Sequence, residues 1–438
     1  MNVDNTTLND LSIFAHEEEL SVFYRLDFTR TIGGRAWLRY YVDDPLSSIK
    51  LVEERQKLLQ GIINVLDKWP EKINNGTVMV VEKYFESPVD SIPKSPDVVT
   101  SLFYKIVSKP DYSLISYTIG HFASFVRGLN DILLLLKADN NPPELSVILE
   151  RLDALLKRPL LFHILQSDPV KKFTRKEILS IGHFLKYEFK SQCFEMIELY
   201  SKLDAFYSMA TACIKYNFSF PSFLVVERPQ FSAEELYHPL LPTPVAYDMQ
   251  LTPQQNFLFL TGANMAGKST FIKAVGVSVY LAHLGMGVPA KNMQLSFFDG
   301  LLSNIQVADN IIKGESYFFN EVQRIHKTIN KISDGKKWLI LIDELFKGTN
   351  VQDAMKCSTV VIEGLRKMKN TLFILSTHLY EISEELKQYS NIQFRYFETE
   401  VQDDQLLFSY QLKNGISNDR LGYLILKREG VVDMLEKL

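Results

Sequence analysis

The chain has only three cysteines in 438 residues, Cys193, Cys213 and Cys357, and they stand too far apart for a metal knuckle or a redox pair. That sparseness excludes a disulfide scaffold and fits small buried residues in a reducing compartment. Positive charge is not in surplus: 48 Lys and Arg face 52 Asp and Glu, a formal net charge of −4. Coating by nucleic acid through bulk charge is thereby excluded, although a local basic face is not. The first twenty residues, MNVDNTTLNDLSIFAHEEEL, lack a basic stretch followed by an apolar one, so no signal peptide is expected. The longest weakly polar run, 274–290, contains His283 and three glycines, so no membrane span is expected there. No internal repeat or low-complexity tract occurs. A soluble cytoplasmic protein is expected.

What the chain does have is core material, 46% hydrophobic residues, and length for about two or three domains. Residues 10–215 show helical periodicity, broken by "DNNPP" at 139–143 and "SDP" at 167–169. From 175 to 216 there is no proline and one glycine, Gly182. A continuous helix there would run about 60 Å at ~1.5 Å per residue, the dimension of a lever or arm. After 216 the texture changes to short apolar runs, FLVVE (223–227), FLFLT (257–261), WLILID (338–343) and TLFILST (371–377), alternating with helical stretches. Such runs predict parallel strands buried on both faces. The predicted architecture is a helical core or lever domain over 1–220 followed by an α/β domain over 221–438 with a mostly parallel sheet.

The stretch TGANMAGKST (261–270) follows the FLFLT run and precedes helically spaced Ile272, Val275 and Val279. Gly262, Gly267, Lys268 and Ser269 fit G-x-x-x-x-G-K-[ST]. In this pattern glycines turn backbone N–H groups toward phosphate oxygens at a helix N-terminus. Lys268 would reach the β- and γ-phosphates and Ser269 would ligate Mg²⁺. Ala263, Asn264, Met265, Ala266 and Thr270 complete the nucleotide-binding loop.

Seventy-five residues beyond Lys268, WLILIDELFKGTN ends an apolar run in Asp343 and Glu344. Two carboxylates at the C-terminal end of a central strand stand where ligands bind in such sheets. Asp343 is the candidate for the Mg²⁺ shell, and Glu344 for orienting or deprotonating the attacking water. A third strand end, Ser376-Thr377-His378, offers His378 as γ-phosphate sensor or as a structural histidine. In DNIIKGESYFFNEVQRI (309–325), Gly314 and Ser316 precede a helical run. That is either an ordinary helix cap with Glu315 in its first turn or a second anion site, which would serve the nucleotide of another subunit.

Together these segments resemble the MutS family, a branch of the ABC-type ATPases. TGANMAGKST is similar to the family's phosphate loop, with Asn264 and Met265 in their distinctive places. LIDELFKGT resembles its strand and D-loop, STHLYEI its switch-histidine segment, GESYFFNEV its trans-acting signature, and residues 413–430 its C-terminal helix-turn-helix, which extends over 413–438. RLDFTRTIGGRAWLRYYVDDPL (25–46) and LDAFYSMATACIKYNFSFPSF (203–223) resemble the start and close of the family's core domain. The signature has Tyr317 where threonine is usual, and Ala263 and Ala266 stand where proline and glycine are common.

The resemblance implies an ATP-hydrolysing homodimer with Mg²⁺. Lys268, Ser269, Asp343, Glu344 and His378 serve one nucleotide, and Gly314 and Ser316 of the partner subunit complete its site. Tyr247 and Tyr410 are candidates for stacking on adenine. The family's DNA-gripping arms and its work in mismatch repair imply mismatched or branched DNA and repair proteins as partners. No stretch ahead of the core matches the mismatch-reading or connector domains, so these are expected to be lacking. Residues 171–190 carry six Lys or Arg against two acids, either a DNA-facing bias or a solvated helix face. The alternative reading is an ATP-driven switch gripping a protein or ribonucleoprotein. A small-molecule P-loop kinase explains neither Gly314 and Ser316 nor the arms.

Overall fold

In a computed structural model of the chain, the described residues are all but 90, 264, 306–316, 403–404, 418–430 and 436–438. They divide into two compact units, one of residues 1–25, 45–52 and 215–438 and the other of 26–44 and 53–214. The division read from the sequence, at 220, assigned the first 25 residues to the helices; they group instead with the C-terminal unit. The cause is local. Strand β1 (Asn2–Val3) pairs in parallel with 300–301, and helix α1 (Asn5–Asp10), capped by Asp4, is tied to the same strand by Thr7 and Asp10. A short helix α2 (Val22–Leu26) follows.

The helical unit is built from α3 (Ile32–Asp43), the later part of α4 (Ile49–Ile63), α5 (Asn75–Glu86), α6 (Val98–Val107), α7 (Lys109–Leu136), α8 (Pro143–Leu156), α9 (Pro159–Gln166), α10 (Arg175–His183) and α11 (Lys190–Lys215). "DNNPP" separates α7 from α8, where proline sits in the first turn, as its fixed φ and missing N–H favour. Ile115, Ile119, Phe122, Val126, Leu129 and Leu133 of α7 are buried at helical spacing. By length and composition α7 could cross a membrane, but more than half of its apolar window is buried inside the protein.

The "TRTIGG" and "LDAF" segments meet at one buried carboxylate. Asp204 on α11 accepts from Arg30 N, Thr31 N (2.9 Å) and Thr31 Oγ1 (2.7 Å), holding the start of α3. A Cβ on Gly34 would fall 2.0 Å from Asp204 Oδ2, so the close approach needs glycine.

The expected continuous helix over 175–216 is two helices joined by a π-turn at Phe184–Glu188. Phe189, with φ −124°, leaves the helical region there. The wide turn brings Phe184 and Phe189, five residues apart, to the same side, stacked at 4.9 Å, with Leu185 and Phe189 buried. Lys186 Nζ donates to Tyr84 O and Ser87 O, both at 2.8 Å, and fixes the turn.

The second unit carries β2 (Ser222–Leu224), β3 (Phe231–Leu236), β4 (Tyr247–Leu251), β5 (Phe257–Thr261), α12 (Lys268–His283), β6 (Asn292–Ser296), β7 (Gly300–Asn304), α13 (Tyr317–Ile332), β8 (Trp338–Asp343), α14 (Val351–Leu365), β9 (Thr371–Ser376), α15 (Ser383–Leu386), β10 (Ile392–Gln402) and β11 (Gln405–Asn414). Seven strands form one sheet in the order β1-β7-β8-β9-β5-β10-β11, parallel except for the antiparallel pair β10–β11. Every residue of β5, β7, β8 and β9 is buried, as parallel strands covered on both faces require.

The run at 223–227 departs from that expectation. It contributes β2 to a separate four-stranded sheet, β2-β6-β3-β4, and is not buried on both faces: Val225 is 88% exposed. The expected helix-turn-helix over 413–438 lies mostly outside the described residues. Within them, β11 runs to Asn414 and a short helix covers Val431–Leu435.

Candidate nucleotide site

Strand β5 ends at Thr261, and the chain turns at once through a left-handed glycine, Gly262 (φ 139°), where a Cβ would come within 3.1 Å of Phe397 O. The loop passes Met265 (φ 69°, 72% exposed) and closes on Gly267 (φ 108°), the residue before α12. Among the described residues no side chain caps that helix start, which leaves its first N–H groups available to an anion. Asn264 lies outside the described residues, as do Gly314 and Ser316.

Lys268, first in α12, is buried. Its Nζ donates to Gly262 O at 2.6 Å and Ala263 O at 2.9 Å, and burial lowers its pKa. Next to it, Ser269 Oγ donates to Asp343 Oδ2, and Ser376 Oγ donates to the other carboxylate oxygen of Asp343. Register explains the meeting. Asp343 of β8 pairs with Ser376 of β9, which pairs with Leu260 of β5, so all three strands end at one level. The phosphate-loop pattern and the carboxylate pair therefore share the C-terminal edge of a parallel sheet, where such sheets bind ligands.

Glu344 departs from the strand with φ 60°, a left-handed conformation that a non-glycine residue adopts at an energetic cost. Its backbone N–H is held by Ser376 O at 3.0 Å. Lys347 Nζ stands 3.1 Å from one carboxylate oxygen and His378 Nδ1 3.8 Å from the other. The contact with His378 foremost, then Lys347, outweighs burial and holds the Glu344 carboxyl down at about 2.

A cavity of about 460 Å³ lies over the loop, lined by Ala263, Met265, Gly267, Lys268, Ser269, Thr270 and Glu344. Both tyrosines singled out from the sequence line it, in different settings. Tyr247 is buried, its ring edge-on to Phe271 and Phe397, whereas Tyr410 is 40% exposed, its Cδ1 3.4 Å from where a Gly267 Cβ would stand. Sequence reasoning missed Leu241, Thr243 and Val245, which line the cavity from the 237–246 loop, as well as Lys347 beside Glu344, and gave Ser376 no part in holding Asp343. Ser376 had the signal of ending the β9 run two residues before His378; Lys347 had none, and the first three had only their nearness to Tyr247.

Helix α13 reaches the same region. Glu321 accepts from the backbone N–H groups of Lys347 (3.1 Å) and Gly348 (3.2 Å), and Phe318 packs on Phe346 at 5.7 Å. Among the described residues no cluster of three or more His, Cys, Asp or Glu side chains converges on one point. A metal here would take a hydroxyl and one carboxylate from the protein and its remaining oxygens from elsewhere, the usual habit of Mg²⁺ on phosphates.

The family model of MutS domain V matches residues 258–434. The DNA mismatch repair protein MutS of Thermotoga maritima is 24% identical over an alignment covering 99% of this chain and 64% of that protein. The proteins of the same name from Pseudothermotoga lettingae and Ehrlichia chaffeensis are each 29% identical, covering 52% and 54% of this chain and 28% and 30% of their own lengths. The chain thus spans less than two thirds of the curated relatives it matches.

Proposed function

We propose that the chain is a member of the MutS family, as its match to MutS domain V over 258–434 and its likeness to MutS proteins support, and that it is an ATP-hydrolysing, ATP-gated dimer whose helical unit acts on DNA in mismatch repair or a related processing of DNA structure. The observation that carries this reading is the convergence of Lys268, Ser269, Asp343 and Glu344 on one sheet edge beneath a cavity of nucleotide scale. Loop 262–267 and the start of α12 cradle the phosphates. Lys268 exchanges its two carbonyl partners for phosphate oxygens, a substitution that leaves a buried ammonium satisfied. Ser269 and Asp343, already hydrogen-bonded, are the protein donors for Mg²⁺, which neutralises phosphate charge when bound. Glu344 orients the attacking water and His378 registers the γ-phosphate.

The exposed ring of Tyr410 is the better adenine platform and Tyr247 the floor beneath it. Gly314 and Ser316 of the partner subunit are proposed to complete the site. Within each chain α13 is bound to the loop after Glu344 through Glu321, a route by which the signature segment and the hydrolytic centre are coupled.

The test is light scattering and phosphate release with Mg-ATP. The Glu344→Gln variant should bind ATP, lose turnover on the order of 10²–10⁴-fold and accumulate as a dimer. A monomer at saturating Mg-ATP with hydrolysis blocked would reject the gated dimer.

A second reading, a protein partner in place of DNA, is favoured by one feature: Val98, Val99, Leu102, Phe103, Ile106 and Val107 form an exposed apolar face on α6. No affinity for duplex, junction or mismatched DNA at any salt would leave that reading standing alone.

A further inference from the structure

Within the helical unit, between α7 and the segment leading into α10, lies a groove of about 890 Å³. Five cations line it, Lys105, Arg127, Lys171, Lys172 and Arg175, with no carboxylate among its lining residues. In a chain of net charge −4 this one-signed lining is a local reversal of the overall balance.

Four rings are interleaved with the cations: Tyr112, Tyr117, His121 and Phe173. Tyr117 is 59% exposed and meets His121 edge-on at 4.6 Å, which holds its ring in place while leaving a face open. Arg127 is fixed by Ser167 Oγ at 2.8 Å and stands 5.9 Å from the centre of the Phe173 ring. On α7, Ser116, Gly120 and Ser124 are spaced one turn apart along the groove, and a Cβ added at Gly120 would meet nothing within 4 Å. The floor is therefore open to a flat ligand.

We propose that this groove binds a single nucleic-acid strand through its unpaired bases, with Tyr117 as a stacking platform and Lys171, Lys172 and Arg175 along the phosphates. The combination of cations tracking a backbone with rings accepting bases is what sequence-tolerant single-strand binding uses. A volume of this size takes a few extended nucleotides, and rings placed to accept base faces can be used only by bases that are unpaired and unstacked. The ligand class follows: flaps, gaps or unwound ends. The inference rests on the DNA side of the proposed function and deepens it by naming the form of DNA held by this unit.

The experiment is fluorescence anisotropy of labelled oligothymidylate, and of a blunt duplex of equal length, titrated with full-length protein across salt. Wild type should prefer the single strand. Tyr117→Leu should weaken strand binding about 5- to 150-fold, the loss of one base–ring stack, while Tyr117→Phe restores it. Lys171→Glu with Lys172→Glu should reduce the slope of log affinity against log salt by about 1.4, two phosphate contacts on a single strand. All three variants should keep wild-type melting temperature and ATP turnover. Unchanged strand binding in the Leu and double-Glu variants overturns the proposal. So does displacement of the strand by inorganic polyphosphate with Tyr117→Leu neutral, since attraction of phosphate alone would then explain the binding. Failure of ATP turnover with strand binding intact would sink the ATPase reading and spare the groove.

Discussion

Two adjacent acids at the end of β8 are treated differently by their surroundings. Asp343 receives hydroxyl donors from Ser269 and Ser376 and stays with the strand. Glu344 turns away in a left-handed conformation toward His378 and Lys347. A carboxyl held at about 2 remains charged down to strongly acid pH, but it is a weak proton acceptor. For the proposed role this suits Glu344 to orienting water more than to taking its proton, which would require it to shed a cation.

The sign follows from the depressed value. The ionised form contributes stability above the ordinary carboxyl value of about 4.3, and that contribution is lost as pH falls through about 2. Removing one cation by Lys347→Met should move the carboxyl upward. An NMR titration of that carboxyl from about pH 1.5 to about 6, spanning its ordinary value of about 4.3, should show the midpoint rise from about 2; an unmoved midpoint means Lys347 does not hold this group. Lys268→Ala removes the buried ammonium from the loop and should abolish nucleotide binding, read by titration calorimetry with ATP; binding within about tenfold of wild type would exclude the assigned role. Asp343 and Glu344 were legible because they end an apolar run. Lys347 was not, because no spacing rule marks a residue whose role comes from the turn that carries it back.

At the scale of elements, the clearest anchor is α1. Asp10, almost fully buried, accepts from Ser303 Oγ at 2.6 Å, Ile305 N at 3.0 Å and Arg324 Nη2 at 3.0 Å. It thus joins an N-terminal helix to the end of β7 and to α13. Asp10→Ala would take the carboxylate from a largely buried guanidinium, leaving it Asn304 Oδ1 and Ser303 O as neutral partners, and breaking such a pair costs about 3–5 kcal/mol. Chemical denaturation should show that loss; a change under about 1 kcal/mol would mean Arg324 finds its partners elsewhere.

Strands β5, β8 and β9 were readable because burial on both faces demands unbroken apolar runs, whereas β7, equally buried, carries a glycine, a serine and an asparagine in five residues and was not read. A two-residue strand such as β1 has no period to read, and its placement depends wholly on a partner some 300 residues away. The π-turn in the long helical segment was equally invisible. Its cause is a packing choice, two aromatic side chains wanting the same side, that leaves the apolar spacing nearly intact.

At the scale of the molecule, nucleotide should act on one unit first. A ligand at 100 times its dissociation constant adds about 2.7 kcal/mol to the body that binds it. Hydrogen exchange with Mg-ATP should therefore slow in β5, β8 and β9, where the strand ends meet the loop. Slowing confined to α7 would place the nucleotide elsewhere.

The order in which the two units take up the polypeptide has a practical corollary. Because the chain passes from one to the other at four points, no single cut yields either half intact: a fragment begun at 215 would arrive without the edge strand and the acid that pins α13. Gene shuffling, recombinant truncation and evolutionary transplantation all operate on contiguous lengths of sequence. The two units are thus stitched into a single heritable piece, and a graft of the sheet-bearing half must bring its opening 25 residues along.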